Sequence, residues 1–140
     1  SAASDVYKRQ IKTQSMTTAS TMDTDKSVDE AIRIIKAGGK LVRFTAPNIK
    51  EAKKISSILV RKKLIACANI FNNIQSVFSW KNKVNFSKEV IIMGKTTKKR
   101  QTKIISEVKK IHSYDMPCIV FSKISSGNKE FLKWISNSTR

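Results

Sequence analysis

The feature that most constrains the fold is a nearly unbroken run of strand-forming residues in the middle of the chain. From Leu64 to Trp80 the sequence is rich in small, β-branched and aromatic side chains, which favour an extended backbone. A strand of this length is difficult to cover within a chain of 140 residues, so part of it is expected to lie at an exposed sheet edge. Exposed edges are places where chains pair with one another. The run therefore predicts an oligomer assembled through its sheets.

The flanking segments alternate between strand and helix patterns. A parallel doubly wound sheet is excluded, because the tight turn expected at Lys81-Asn82 is too short for a crossover connection. The order from the first strand onward instead begins βαββαβ, that of a ferredoxin-like α+β sandwich, and an added helix follows at the C-terminus. The predicted elements are, in chain order, a strand at Leu41–Thr45, a helix capped by Asn48, the long strand at Leu64–Trp80 with a bend near Asn72-Asn73, a return strand at Val84–Lys95, a helix from about Thr97 to His112, a strand at Cys118–Ile124 and a helix after Gly127-Asn128.

The N-terminal residues differ in composition from the rest of the chain. Residues 1–26 are rich in Ser, Thr and Ala and show no helical or strand periodicity, which indicates a disordered or expression-derived leader. Organelle targeting by this leader stays open. Residues 27–140 are predicted to form one domain. A short N-terminal helix, capped by Asp25 or Ser27 and ended by Gly38-Gly39, is expected to open it.

The strong positive charge of the chain leaves two interpretations open. There are 28 basic and 10 acidic residues, which give a formal charge of +18. Such an excess usually indicates a nucleic-acid or membrane-surface partner. No zinc-finger spacing, arginine-rich arm or aromatic RNA-binding strand accompanies it, which favours a solvated basic surface. Specific nucleic-acid binding is therefore not expected, although weak affinity for polyanions is.

The cysteines and the apolar runs bear on the compartment. Cys67 and Cys118 both fall in predicted strands, and two lone strand cysteines are typical of reduced thiols rather than of a disulfide framework. No apolar run approaches the roughly 20 residues needed to span a bilayer. A cytoplasmic protein without a membrane partner is expected.

Seven short motifs occur in a fixed order along the chain. They are Thr45-Ala46-Pro47, the stretch from Leu64 to Ile70, the stretch from Ser76 to Trp80, Glu89 before an apolar strand, Lys95-Thr96, the stretch from His112 to Pro117, and the stretch from Phe131 to Trp134. Together these motifs closely resemble the CutA family, the divalent-cation-tolerance proteins, and the resemblance covers about Lys40 to Arg140.

The resemblance implies a ferredoxin-like protomer in a tight homotrimer, similar in architecture to the PII signalling proteins. In such trimers long hairpins pair between subunits and clefts lie at the interfaces. Candidate cleft residues are Trp80, Glu89, Lys95, Tyr114 and Asp115.

Two of these cleft candidates also have structural interpretations. Trp80 can cover an edge of the core, and Glu89 can act as an interface strut. A buried acid must find a partner. Lys95 is not expected to reach Glu89 within one chain, so a lysine or Tyr114 from elsewhere in the trimer is the expected partner.

The resemblance also implies a divalent metal ion, copper above all. Copper-binding bacterial relatives place a cysteine just before Thr-Ala-Pro and a His-His pair before the Tyr motif. Here these positions hold Phe44 and Ile111-His112, so one of the three ligands is retained. The candidate ligands are His112 and Cys118, because imidazole and thiolate suit copper and zinc. His112 has an alternative role as a cation at a helix C-terminus.

The chain offers little for acid–base catalysis. It contains a single histidine and no Ser-His-Asp, Cys-His or paired-carboxylate spacing. Together with this scarcity, the resemblance implies a non-enzymatic trimer that binds a metal or small molecule in clefts between subunits and is associated with divalent-metal tolerance. Polyanion binding and a purely scaffolding role are the alternatives.

Overall fold

The computed structural model describes residues 38–140. The predicted leader and the predicted short N-terminal helix lie outside these described residues. The elements are β1 (Gly39–Ala46), α1 (Ile49–Arg61), β2 (Cys67–Trp80), β3 (Lys83–Thr97), a 3₁₀ turn (Lys98–Arg100), α2 (Gln101–Ile111), β4 (Ile119–Lys123) and α3 (Lys129–Ser138).

The strands form one four-stranded sheet in the order β2-β3-β1-β4. Every neighbouring pair is antiparallel. This order, with α1 and α2 as the two connecting helices, confirms the ferredoxin-like α+β sandwich with an added C-terminal helix. β2 and β4 are the two edge strands, so the longest predicted strand does lie at an edge.

The core lies between the sheet and the two connecting helices. On β1 the alternate residues Val42, Phe44 and Ala46 are fully buried, as the two-residue period of a strand requires. They pack in one cluster with Ile55 of α1 and Ile104 of α2. Fully burying an apolar side chain of this size stabilises a fold by about 1.5–3 kcal/mol. The inward-facing residues of these elements therefore hold the sandwich together.

Helix α1 begins where the sequence predicts. The Asn48 side chain accepts a hydrogen bond from the Glu51 amide at 2.9 Å, which satisfies one of the free N–H groups of the first turn. The end of α1 explains why β2 starts at Cys67 rather than at the predicted Leu64. The Leu64 amide donates to the Leu59 carbonyl at 2.9 Å, so this residue closes the helix instead of joining the sheet.

The β2–β3 hairpin extends beyond the rest of the sheet. β1 covers β3 only as far as the pair Ala46–Val90, so the segment from Ile74 to Glu89, here named the outer hairpin, pairs only with itself. Its turn at Lys81-Asn82 has φ of 51° and 60°, the left-handed values that a two-residue hairpin turn needs. The predicted tight turn is thus confirmed.

A bulge separates the outer hairpin from the inner part. The register shifts between Phe71 and Ile74, and Asn73 has a φ of 58°, a conformation that asparagine tolerates better than most residues. The bend predicted near Asn72-Asn73 is confirmed. The α2 region differs from its prediction only in detail, since the 3₁₀ turn precedes the helix proper. Cys118 lies just before β4 rather than within it.

Candidate functional site

A groove of about 750 Å³ lies between the outer hairpin and the loop that follows α2. The hairpin supplies one wall and the loop, together with the end of β1, supplies the other. The hairpin wall consists of Ser76, Phe78, Ser79, Trp80, Ser87 and Glu89. The loop wall consists of Thr45, Ser113, Tyr114, Asp115, Met116 and Cys118.

His112 holds the loop wall in place. Its imidazole is fully buried. Nε2 lies 2.6 Å from the Thr45 carbonyl oxygen, and Nδ1 accepts a hydrogen bond from the Tyr114 amide at 3.0 Å. This pattern corresponds to the neutral ring with its proton on Nε2. Both ring nitrogens are engaged with backbone groups, so in this arrangement no lone pair points toward a metal ion.

A second set of contacts ties the loop to the start of α1. The Ser113 hydroxyl donates to a Glu51 carboxylate oxygen at 2.9 Å. The same oxygen lies 4.0 Å from His112 Nδ1. The Glu51 carboxylate therefore links the first turn of α1 to the loop that lines the groove.

Tyr114 and Glu89 join the two walls. The Tyr114 hydroxyl donates to a Glu89 carboxylate oxygen at 3.2 Å. Burial raises the pKa of Tyr114, and the nearby charge of Glu89 raises it further. The phenol therefore stays protonated at neutral pH and remains a donor. Tyr114 was one of the partners expected for Glu89, and it reaches the carboxylate within one chain rather than across an interface.

The groove gathers most of the predicted cleft and metal residues. Lys95 is not among its lining residues; its ammonium group contacts the Asn69 side chain. The lining residues that the sequence singled out are Trp80, Glu89, Tyr114, Asp115 and Cys118.

Several lining residues escaped sequence reasoning although a signal for them exists. Trp80, Phe78 and Ser76 alternate along β2, and alternate residues of a strand face the same side. Ser87 lies opposite Ser76 in the hairpin register, so it shares that side. Starting from Trp80, strand alternation and hairpin pairing would have predicted these neighbours. Met116 carries no such signal, because it belongs to an irregular loop.

The other face of the outer hairpin carries three exposed apolar side chains. Val77 and Phe86 are paired across the hairpin, and they are 60% and 75% exposed. Val84 is 68% exposed and lies opposite Ser79 on the same face. Contiguous exposed apolar residues of this kind usually mark an interaction surface.

The described residues of one chain do not contain a complete metal centre. No group of three or more His, Cys, Asp and Glu side chains within residues 38–140 is close enough to hold a metal ion. Within the same residues, no helix is both long and apolar enough to cross a membrane.

Comparison with known proteins identifies the family. Residues 40–138 match the model of the CutA1 divalent ion tolerance protein family. The divalent-cation tolerance protein CutA of Archaeoglobus fulgidus is 41% identical over 97 residues, which cover 69% of this chain and 94% of the relative. The chloroplastic CutA protein of Arabidopsis thaliana is 35% identical over 100 residues. The match covers 71% of this chain but only 55% of that longer protein.

Comparison with solved structures indicates the same family. The periplasmic divalent cation tolerance protein CutA of Archaeoglobus fulgidus superposes with a TM-score of 0.71 at 39% identity, covering 73% of this chain and 99% of that one. The divalent ion tolerance protein CutA1 of Ehrlichia chaffeensis has a TM-score of 0.71 at 36% identity, covering 74% and 97%. The names of these relatives describe tolerance of divalent ions rather than catalysis. With sequence, family model and fold in agreement, this chain belongs to the CutA family of divalent-cation tolerance proteins.

Proposed function

We propose that the chain is a non-enzymatic cytoplasmic protein that assembles as a homotrimer and binds divalent metal ions, copper among them, in clefts between its subunits. In this role it contributes to metal tolerance or homeostasis. The observation that carries the proposal is the outer hairpin, which presents an exposed apolar face on one side and a groove with acidic and sulfur-bearing residues on the other.

The apolar face supports assembly. Val77, Val84 and Phe86 are exposed in one protomer, and β2 presents an unpaired sheet edge beside them. Pairing with other copies of the chain would bury these side chains and satisfy the edge. The outer hairpin has no packing partner within the sheet, so assembly is the simplest way to cover it.

The groove supports a shared metal site. Glu89, Asp115 and Cys118 offer carboxylate and thiolate ligands, and the Met116 thioether adds a soft ligand that suits Cu(I). Because one protomer does not assemble three His, Cys, Asp or Glu ligands among its described residues, a tighter site needs donors from a second protomer. His112 could bind a metal ion in such a site only after its contacts with the Thr45 carbonyl and the Tyr114 amide are broken.

The geometry of His112 does not favour general-base catalysis. A general base needs a free lone pair within reach of a substrate proton. The only histidine of the chain is instead held between two backbone groups. Polyanion binding through the basic surface and a purely scaffolding trimer are the alternatives, and the following experiment separates them.

Native mass spectrometry of the purified protein with increasing copper tests the proposal. The expected result is a mass near three times 15.8 kDa, with saturable copper uptake by the trimer. Cys118→Ser should weaken that uptake by about tenfold or more, since losing one ligand of a small site removes much of its affinity. Cys67→Ser, a matched thiol outside the groove, should not.

Four results would count against the proposed function or part of it. A monomer would remove the intersubunit clefts. A trimer that takes up no copper would favour scaffolding, and copper uptake unchanged by Cys118→Ser would place the metal elsewhere. Saturable binding of a short oligonucleotide by a trimer that takes up no copper would favour the polyanion role.

A further inference from the structure

The groove has a local charge opposite in sign to that of the chain. The whole sequence carries +18, yet the lining contains Glu89 and Asp115, and no Lys or Arg of the described residues lines it. The ion pairs formed among residues 38–140 do not include either carboxylate. Within the described part of the chain, the groove therefore presents two acidic side chains that no ion pair neutralises.

Glu107 shows how the same chain neutralises an acid elsewhere. Glu107 as a residue is only 5% exposed. Lys62 Nζ lies 2.7 Å from it, Lys110 Nζ 3.6 Å and Lys103 Nζ 3.7 Å. Glu89 instead receives a hydrogen bond from the neutral Tyr114 hydroxyl. Among residues 38–140, the groove thus has no lysine of the kind that neutralises Glu107, which favours a cationic ligand.

Aromatic rings in the groove indicate what kind of cation fits. Phe78, Trp80 and Tyr114 are 43%, 56% and 37% exposed, and all three line the groove. Aromatic faces attract organic cations through cation–π interactions. They add nothing to the coordination of a hard metal ion, which takes oxygen ligands. A ligand that uses both carboxylates and rings is an organic cation.

Hydroxyl groups in the groove indicate which class of organic cation it suits. The hydroxyl groups of Ser76, Ser87 and Ser113 also line the groove. Serine oxygens accept hydrogen bonds from N–H groups, which a primary ammonium has and a quaternary ammonium lacks. The groove volume of about 750 Å³ falls within the range of small-molecule sites, about 300–1,000 Å³.

We propose that the groove binds a small primary alkylammonium ion, with the ammonium group on the Glu89 carboxylate and the alkyl chain against Trp80. Tyr114 is the positioning residue, because its hydroxyl fixes one carboxylate oxygen of Glu89 and orients the other. The inference rests on the proposed function in that it uses the same groove, but all its residues come from one protomer.

Isothermal titration calorimetry with putrescine tests this inference, with butanediol as the uncharged probe of equal length. The expected result is saturable putrescine binding and no measurable butanediol binding. Glu89→Gln should weaken putrescine by about tenfold or more, since the pairing charge is lost. Tyr114→Phe should weaken it less. Glu130→Gln, which removes the same charge on α3 outside the groove lining, should bind as the unmodified chain does.

Several results would overturn the inference. These are equal binding of the diol and the diamine, wild-type affinity in Glu89→Gln, and no putrescine binding by a chain whose thermal melting shows it to be folded. If Glu89→Gln does not fold, Asp115→Asn replaces it, because Asp115 is exposed and forms no ion pair among the described residues. That variant should also weaken putrescine binding, and unchanged affinity would count against the site.

Failure of this inference and of the proposed function can be told apart. Copper uptake and trimer mass are measured on the same sample without amine. Copper uptake with no putrescine binding rejects only the ammonium site. Putrescine binding by a trimer that takes up no copper supports the ammonium site and rejects only the metal role.

Discussion

The inner and outer parts of the β2–β3 hairpin belong to the same two strands but have opposite environments. In the inner part, Val90 and Ile92 are nearly or fully buried beneath α1 and α2. In the outer part, Val84 and Phe86 on the same strand are mostly exposed. The residue types are similar, so composition does not explain the difference. What differs is whether β1 and the helices lie alongside, and the outer hairpin is thereby available for ligands and partners.

The largest expected effect comes from the inner part. Phe44→Ala should lower the free energy of unfolding by about 3–5 kcal/mol, because it opens a cavity in the main core. Phe86→Ala makes the same chemical change on a side chain that is 75% exposed, and it should cost the protomer's own packing far less. Urea unfolding of the two variants measures both values. Equal losses would mean that contacts between protomers bury Phe86 as fully as the core buries Phe44.

The next effect is expected at His112, which joins the groove loop to the end of β1. His112→Ala removes the ring that the Thr45 carbonyl and the Tyr114 amide contact. Both backbone groups are only partly buried, so the free energy of unfolding should fall by about 1–3 kcal/mol in total. The groove loop should loosen at the same time, because Tyr114 is positioned through this ring. Hydrogen exchange of the Tyr114 amide reports the loosening. An unchanged exchange rate would show that Glu51 and Ser113 hold the loop unaided.

A smaller effect concerns the close packing of β3 on β1 in the inner part. A Cβ at Gly94 would lie 2.9 Å from a Val42 methyl carbon, closer than real contacts allow. Gly94→Ala should therefore cost about 1–3 kcal/mol through overpacking. Gly127→Ala is the control, since the nearest atom there, on Leu132, is 3.3 Å away at the end of a flexible side chain. Thermal unfolding should rank Gly94→Ala as the more damaging change.

The smallest expected effect is a pH-dependent change in stability, and it arises at Glu107 on α2. The hydrogen bond from Lys62 lowers the pKa of Glu107, with further lowering by the charges of Lys62, Lys110 and Lys103, against an opposing effect of burial. A carboxyl whose pKa is lower in the folded state than in the unfolded state stabilises the fold at pH values above its unfolded-state pKa. This stabilisation is lost as the pH falls through its folded-state pKa. Glu107→Gln should therefore be less stable than the unmodified chain at neutral pH. The difference should shrink below about pH 4.5, and melting curves across that range would show if it does not.

Local patterns predicted most of the fold. The Asn48 cap, the Lys81-Asn82 turn and the bend at Asn72-Asn73 depend on neighbouring residues, and all three were confirmed. The start of β2 was placed too early, because Leu64 is drawn into closing α1 through a contact with Leu59. Strand propensity alone does not predict that Leu64 closes α1 instead of starting β2.

The candidate site was less predictable because its contacts join distant parts of the chain. Tyr114 meets Glu89 across 25 residues, and His112 meets Thr45 across 67. The sequence marks these residues as candidates, but only the folded chain brings Tyr114 and Glu89 together and uses His112 to hold the loop. Lys95 shows the converse, since it carries a family motif yet lies outside the groove lining.

The most direct test of the account is the mass of the protein in solution. Sedimentation should give a trimer for the unmodified chain and for Val60→Lys, a change on α1 at a residue 41% exposed. Val77→Lys, at a residue 60% exposed on the apolar face of the outer hairpin, should lose the trimer. A monomeric unmodified chain, or a trimer that survives Val77→Lys, would contradict the assembly role of the outer hairpin.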